Sequence, residues 1–262
     1  MIITAVGLGL IGGSLCKAVK KHTNHTVYGI DINKETDDLS LADLTIVSLY
    51  PTDAIDYITA NADKFKEGSI VIDTCGIKKA VVDGVTDILQ KRDVTFIGAH
   101  PMAGREFSGF EYSLDNLFDE ASFIITPSPI VPQAKLNLLE DLAYSIHFKK
   151  VVFATPEEHD QIIAFTSQLA HVVSNAYIKS PTHQKQLGFS AGSFQDLTRV
   201  AKLNEVMWTP LFMLNKEPLC FEINYIIEKL TEYHNALEKG DSDRLRELLK
   251  EGRILKEETK KL

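Results

Sequence analysis

The chain has 262 residues, 44% of them hydrophobic, enough for one large domain or for two of about 100 to 150 residues each with real cores. A net charge of −8 gives no electrostatic reason to expect a nucleic acid or an anionic membrane as partner. Three scattered cysteines, Cys16, Cys75 and Cys220, match no metal spacing and no paired disulfide framework. With no leader and no apolar run near the ~20 residues of a membrane span, a soluble cytoplasmic protein is expected.

In chain order, β-rich runs at 2–6, 26–30, 44–48, 70–73, 95–99, 122–126 and 150–154 alternate with helical stretches, the pattern of a parallel sheet covered by helices. The segment 126–132 carries three prolines and reads as a loop, with a helix and one last strand after it. Immediately after the first strand, Gly7-Leu-Gly9-Leu10-Ile11-Gly12 opens a helix over 14–21. Gly7 permits a tight turn, Gly9 lets backbone approach a pyrophosphate, and Gly12 lets helix and strand pack closely. The amides at the helix start, those of Leu10 and Ile11 among them, together with the positive end of the helix dipole, suit an anion. Asp31 ends the second strand, where a carboxylate accepts hydrogen bonds from an adenosine ribose and repels a 2′-phosphate, so NAD is expected over NADP. The bland alternative is a glycine turn with an incidental surface aspartate. Strand, turn, helix and acid in sequence favour an N-terminal Rossmann-type doubly wound sheet of the α/β class.

Between Asp31 and Leu44 there are too few residues for the usual helix, strand and two turns, which need about 20. Either a βα unit has been lost or a mobile segment is absent from the sequence. The run 32–36, which reads as the start of an interrupted helix, favours the second.

After residue 154 the β signal stops. Thr155-Pro156-Glu157-Glu158 is a helix start, with Thr as N-cap, Pro at the first helical position and Glu158 closing a capping box. The expected domains are therefore 1–154 and 155–262, the second all-α, with helices over 218–239 and from 242 onward separated by Gly240-Asp241. Apolar residues such as Leu219, Phe221, Ile223, Ile226, Ile227 and Leu230 make this half a candidate homodimer surface, or an ordinary internal core.

His100 follows the apolar run 96–99, at the strand end that faces the ligand crevice in open α/β sheets. A histidine there can accept a hydroxyl proton, or it can be a turn residue bonded to backbone. Ser167 and His171 lie one helical turn apart and share a face with His159, Ile163 and Ala164, either as a site or as a polar helix interface. Arg199 suits a planar carboxylate, or pairs with Asp196 three residues before it. Trp208 can wall a ring site or fill a core.

The run Gly98-Ala-His-Pro-Met-Ala-Gly-Arg-Glu-Phe-Ser-Gly109 resembles the GxHPMxG segment of the prephenate and arogenate dehydrogenase family. His159-Asp160 with Ala164, Ser167 and His171 resembles its HDxxxAxxSxxxH helix, and the run from Phe194 to Ala201 its FxDxTRxA segment. With the glycine turn, four collinear motifs cover nearly the whole chain. The resemblance implies NAD-dependent oxidative decarboxylation of prephenate to 4-hydroxyphenylpyruvate without a metal, by a homodimer. Arogenate dehydrogenase and a non-catalytic NAD-binding redox-sensing module are the alternatives. By resemblance, His100 is catalytic and polarises the ring hydroxyl, Arg199 holds a substrate carboxylate, and His171, Ser167 and Trp208 lie on the substrate side. Thr74 and Gly76 then border the nicotinamide. Gly76 is a departure, standing where many members carry a serine that contacts the catalytic histidine, so Thr74 or water is expected to orient His100. The chain ends soon after its helices, without the ACT domain of some relatives.

Overall fold

A computed structural model describes residues 1–30, 38–105 and 107–259. The chain runs through β1 (Ile2–Val6), α1 (Leu10–His22), β2 (Thr26–Ile30), a 3₁₀ turn (Asp38–Leu41), β3 (Leu44–Val47), α2 (Pro51–Ala60), β4 (Ile70–Asp73), α3 (Lys79–Gln90) and β5 (Thr95–Pro101). It continues through β6 (Ser122–Thr126), α4 (Gln133–Ser145) and β7 (Lys150–Phe153). Helices follow: α5 (Pro156–Ile163), α6 (Ala170–Tyr177), α7 (Gly192–Thr198), α8 (Glu205–Leu214), α9 (Lys216–Glu238) and α10 (Ser242–Thr259).

The strands form one sheet in the order β2-β1-β3-β4-β5-β6-β7, parallel except between β5 and β6. That antiparallel pair departs from the all-parallel expectation. Among its described residues the β5–β6 link carries a short 3₁₀ turn at Phe110–Tyr112 and no crossover helix, and the chain re-enters the sheet from the end at which it left. The strand and helix assignments otherwise follow the sequence reading to within a few residues. Asp31 and the interrupted-helix run 32–36 lie outside the described residues.

Period-2 alternation sorts the strand side chains onto two cores. Ile3, Ala5, Leu44, Ile46, Ile70, Ile72, Ile97 and Ala99 face α1 and α4, while Val6, Val47, Val71 and Phe96 face α2 and α3. With an apolar layer on each face, this is the doubly wound α/β arrangement. The same parity places Asp73 on β4 and His100 on β5 on the α3 side of the sheet. Gly98 lies between Phe96 and His100 on that side, where a Cβ would stand 3.3 Å from Lys78 Cδ and 2.3 Å from Thr126 Oγ1.

Two compact units partition the chain: Met1–Ile163 with Lys202–Asn215, and Ala164–Ala201 with Lys216–Leu262. In the second, α9 packs along a π-helical stretch, Ala164–Leu169, and against α10. The single helix expected from the sequence is interrupted here, with π turns between α5 and α6. Among the described residues no helix is long and apolar enough to cross a membrane. All three cysteines are free: Cys16 is half-buried with its thiol pushed up to about 11 by desolvation, Cys75 is buried and also raised, chiefly by desolvation, and Cys220 is exposed.

The start of α5 forms the capping box read from the sequence. Glu158 N–H donates to Thr155 Oγ1 at 3.1 Å, and Thr155 N–H donates to Glu158 Oε2 at 2.9 Å. Thr155→Ala is expected to lower the unfolding free energy by about 1 kcal/mol in urea titration, with an unchanged m-value.

Candidate functional site

The glycine turn meets the requirements of a dinucleotide cradle. Gly7 sits at φ +85°, and a Cβ there would stand 2.5 Å from the Ser48 carbonyl oxygen. A Cβ on Gly12 would stand 2.1 Å from the Gly7 oxygen. Neither position tolerates a side chain without backbone movement. Gly9 is exposed, with no atom within 4 Å of where its Cβ would lie, so its backbone is open to approach. No side chain caps α1, which leaves the amides of its first turn for an anion. Leu10 and Ile11 are half-buried beside this opening. The residues present fit a pyrophosphate.

At the C-terminal ends of β4 and β5 a second constellation is built on a buried ion pair. Lys78, fully buried at the entry to α3, donates its ammonium to Asp73 Oδ2 and, at 2.6 Å, to the Ala99 carbonyl. Asp73 Oδ1 in turn accepts the Ala99 N–H at 3.1 Å. Both peptide groups of Ala99 are thus held by charged partners, and the next residue is His100. Asp160 on α5 accepts the N–H groups of Lys78 at 2.7 Å and Lys79 at 2.9 Å, an N-terminal cap for α3 supplied by a different helix. Its Oδ1 also lies 2.7 Å from His159 Nδ1, and His159 Nε2 lies 2.9 Å from His100 Nδ1.

Burial first, then the nearby His159 and Lys78, hold the His100 imidazole well below its ordinary titration range. Burial also lowers His159, against the opposing pull of its bond to Asp160. Both rings are therefore neutral at neutral pH, and His100 can accept a proton. Thr74 or water is expected from the sequence to orient His100; its Nδ1 is engaged by His159. Asp73 shares the His100 face of the sheet, whereas half-buried Thr74 falls beyond the strand end with its N–H on the Val47 carbonyl. Gly76 lies beside the other ring nitrogen, with His100 Nε2 3.9 Å from where a Cβ on Gly76 would stand.

The remaining expected site residues are distributed over both units. Trp208, on α8 in the first unit, is half-buried with its ring 5.2 Å from that of Phe212. Half-buried Ser167 lies on the π-helical stretch of the second unit. There α6 also holds the end of α7 through three side chains: His171 Nδ1 donates to the Val200 carbonyl at 3.2 Å, Ser174 to that of Leu197 at 2.7 Å, and Asn175 to that of Ala201 at 3.0 Å. This brings His171 and Arg199 together. Arg199 is the exposed C-cap of α7 and makes no ion pair with Asp196. Sequence reasoning missed Lys78 and Asp73 as site builders. The available signal was a lysine in the apolar surroundings of Ile77, Ala80 and Val81, five residues after an acid that ends a buried strand.

A Rossmann-type nucleotide cradle beside a half-buried, neutral histidine at the sheet's C-terminal edge defines a dinucleotide-dependent dehydrogenase. The chain matches two domains of one family: the prephenate dehydrogenase nucleotide-binding domain over residues 35–152 and the prephenate dehydrogenase dimerization domain over residues 155–251. It belongs to the prephenate dehydrogenase family. It is 29% identical to the prephenate dehydrogenase of Bacillus subtilis, over 93% of this chain and 72% of that one, and 27% identical to the cyclohexadienyl dehydrogenase of Zymomonas mobilis, over 95% and 92%. The crystal structure of the A. aeolicus prephenate dehydrogenase, in complex with hydroxyphenyl propionate and NAD+, superimposes with a TM-score of 0.87 at 28% identity, covering 99% of this chain and 98% of that one. The Bacillus alignment runs over 270 residues while taking in 93% of a 262-residue chain, so that relative carries residues opposite which this chain has none.

Replacing the buried cation tests the frame of the site. Lys78→Met leaves Asp73 unpaired in an apolar setting and is expected to cost about 3 to 5 kcal/mol in urea unfolding, with part of the loss recovered in the Asp73→Asn, Lys78→Met double variant.

Proposed function

We propose that this chain catalyses the NAD-dependent oxidative decarboxylation of prephenate to 4-hydroxyphenylpyruvate, a step of tyrosine formation. The observation that carries the reading is His100, a neutral imidazole on the C-terminal edge of the sheet with Nδ1 engaged by His159 and Nε2 on the Gly76 side. Bound at the glycine turn, NAD supplies a hydride acceptor. The backbone around Gly7, Gly9 and Gly12 and the first turn of α1 hold its pyrophosphate, Asp31 takes the ribose hydroxyls, and Thr74 and Gly76 border the nicotinamide. His100 Nε2 receives the proton of the ring hydroxyl as that carbon is oxidised. The ring carboxylate leaves as CO2, its bonding electrons complete the aromatic ring, and the ring oxygen takes its proton back from His100, so the protein's task is to orient groups and to place a base. Arg199 pairs with a substrate carboxylate through two parallel hydrogen bonds, with His171, Ser167 and Trp208 completing the substrate side. The helical half serves as the homodimer surface, which is consistent with exposed Phe221, Tyr225, Ile227 and Leu230 on α9. The domains divide at 154/155, and the protein acts in the cytoplasm with no nucleic acid or membrane partner.

Prephenate-dependent reduction of NAD, followed by absorbance, tests this reading. Arogenate assayed in parallel distinguishes the arogenate dehydrogenase, and NADH binding without turnover would identify a non-catalytic sensor. His100→Asn is expected to lower kcat by about 10² to 10⁴ with unchanged NADH affinity, while Arg199→Ala raises the KM for prephenate by about 10- to 100-fold. Near-normal turnover of the His100 variant would remove it from the chemistry. Because the base must be unprotonated and its titration is depressed, kcat/KM should remain level as pH falls through 6.5, with the acid limb appearing only below that value. A limb centred at or above 6.5 would contradict the lowered titration of His100.

A further inference from the structure

We infer that His159 and Asp160 are positioning residues that fix the tautomer of His100, so that its Nε2 carries the lone pair for the reaction while its Nδ1–H stays bonded inward. The inference deepens the function proposed above and rests on it for the identity of the reaction.

The argument is one of donors and acceptors. The Asp160 carboxylate can only accept, and it already takes the Lys78 and Lys79 N–H groups. At 2.7 Å from it, His159 Nδ1 must be the donor, so in the neutral ring Nε2 is the acceptor. Among the described residues, the ring nitrogen bonded to that acceptor is His100 Nδ1, at 2.9 Å, which therefore carries the hydrogen. His100 is left with an unprotonated Nε2 on the side where Gly76 has no side chain. Each tautomer follows from the one before, and the origin is a carboxylate anchored by two backbone amides.

The same chain acts once the proton has arrived. Uptake at Nε2 makes His100 an imidazolium that keeps Nδ1–H on His159, and the positive charge faces a dipole backed by the Asp160 carboxylate. Asp73 and Lys78, the other charged groups packed here, pair with each other and leave the carboxylate to the histidines. A carboxylate that orients a histidine base through its far nitrogen is a known device, and here a second imidazole is interposed. His159 is fully buried and touches no candidate substrate position of its own, consistent with acting through His100.

The test is a direct view of the tautomers. Enzyme labelled with ¹⁵N in its histidine rings, without ligands at neutral pH, is examined by two-bond ¹H–¹⁵N correlation, with His100→Asn and His159→Leu used to assign the two rings. Both are expected as Nδ1–H tautomers in the wild type. In His159→Leu, His100 is expected to move towards the Nε2–H form. With prephenate, His159→Leu should lower kcat by about 10² to 10³ while KM changes less than about threefold. His159→Gln, whose side-chain carbonyl can accept the His100 Nδ1–H, should recover at least about tenfold of that loss. An Nε2–H tautomer for His100 in the wild type overturns the inference whatever the variants do. So does near-normal kcat in folded His159→Leu, or equal loss in the leucine and glutamine variants. An absence of prephenate turnover in the wild type defeats the proposed function instead, and the wild-type spectrum still decides the tautomer.

Discussion

The site depends on a buried ion pair that lies outside any recognisable motif. Lys78 and Asp73, both inaccessible to solvent, grip Ala99 by its N–H and its C=O, and so fix where β5 delivers His100. Two charges in an apolar interior are a poor source of stability, since desolvation offsets most of their attraction. They are effective at specifying one geometry, because the backbone groups they satisfy leave few alternatives that bury no orphaned charge. The gap at Gly98 lies along the same lysine, whose Cδ passes 3.3 Å from where a Cβ would be.

From this frame the division of labour is clear. The first unit carries the nucleotide cradle and the chain Asp160, His159 and His100 proposed to handle the proton. The second holds Arg199 near His171 by pinning the end of α7 to α6 with three side-chain donors, aimed at the carbonyls of Leu197, Val200 and Ala201. Burial keeps the first set of imidazoles neutral. Exposure keeps Arg199 available for a charged group. The two chemistries need opposite environments, and the chain provides each on a different scaffold.

Much of this could be read from the residues. Period-2 runs gave the strands and the glycine turn gave the cradle, because both obey local steric rules. The capping box at Thr155 and Glu158 is equally local. The direction of β6 was not legible, since it depends on how a loop without regular structure returns to the sheet. Nor were the π turns at Ala164–Leu169, which have no simple residue signature. The role of His159 was hidden for a third reason. Its partner is 59 residues away, and only the packing of α5 beside the ends of β4 and β5 brings the rings within 2.9 Å. Lys78 looked like a surface lysine because composition cannot show that an aspartate five residues earlier lies beneath it.

The thiols have a practical consequence. Electrophiles react with thiolates they can reach, and the half-buried Cys16, titrating near 11, and the enclosed Cys75 offer neither access nor anion at neutral pH. Cys220 stands exposed near the start of α9, ahead of the apolar residues proposed as the pairing surface. A maleimide dye should therefore attach at one place, distant in sequence from the histidine chain, and its emission would report self-association while the chemistry proceeds undisturbed.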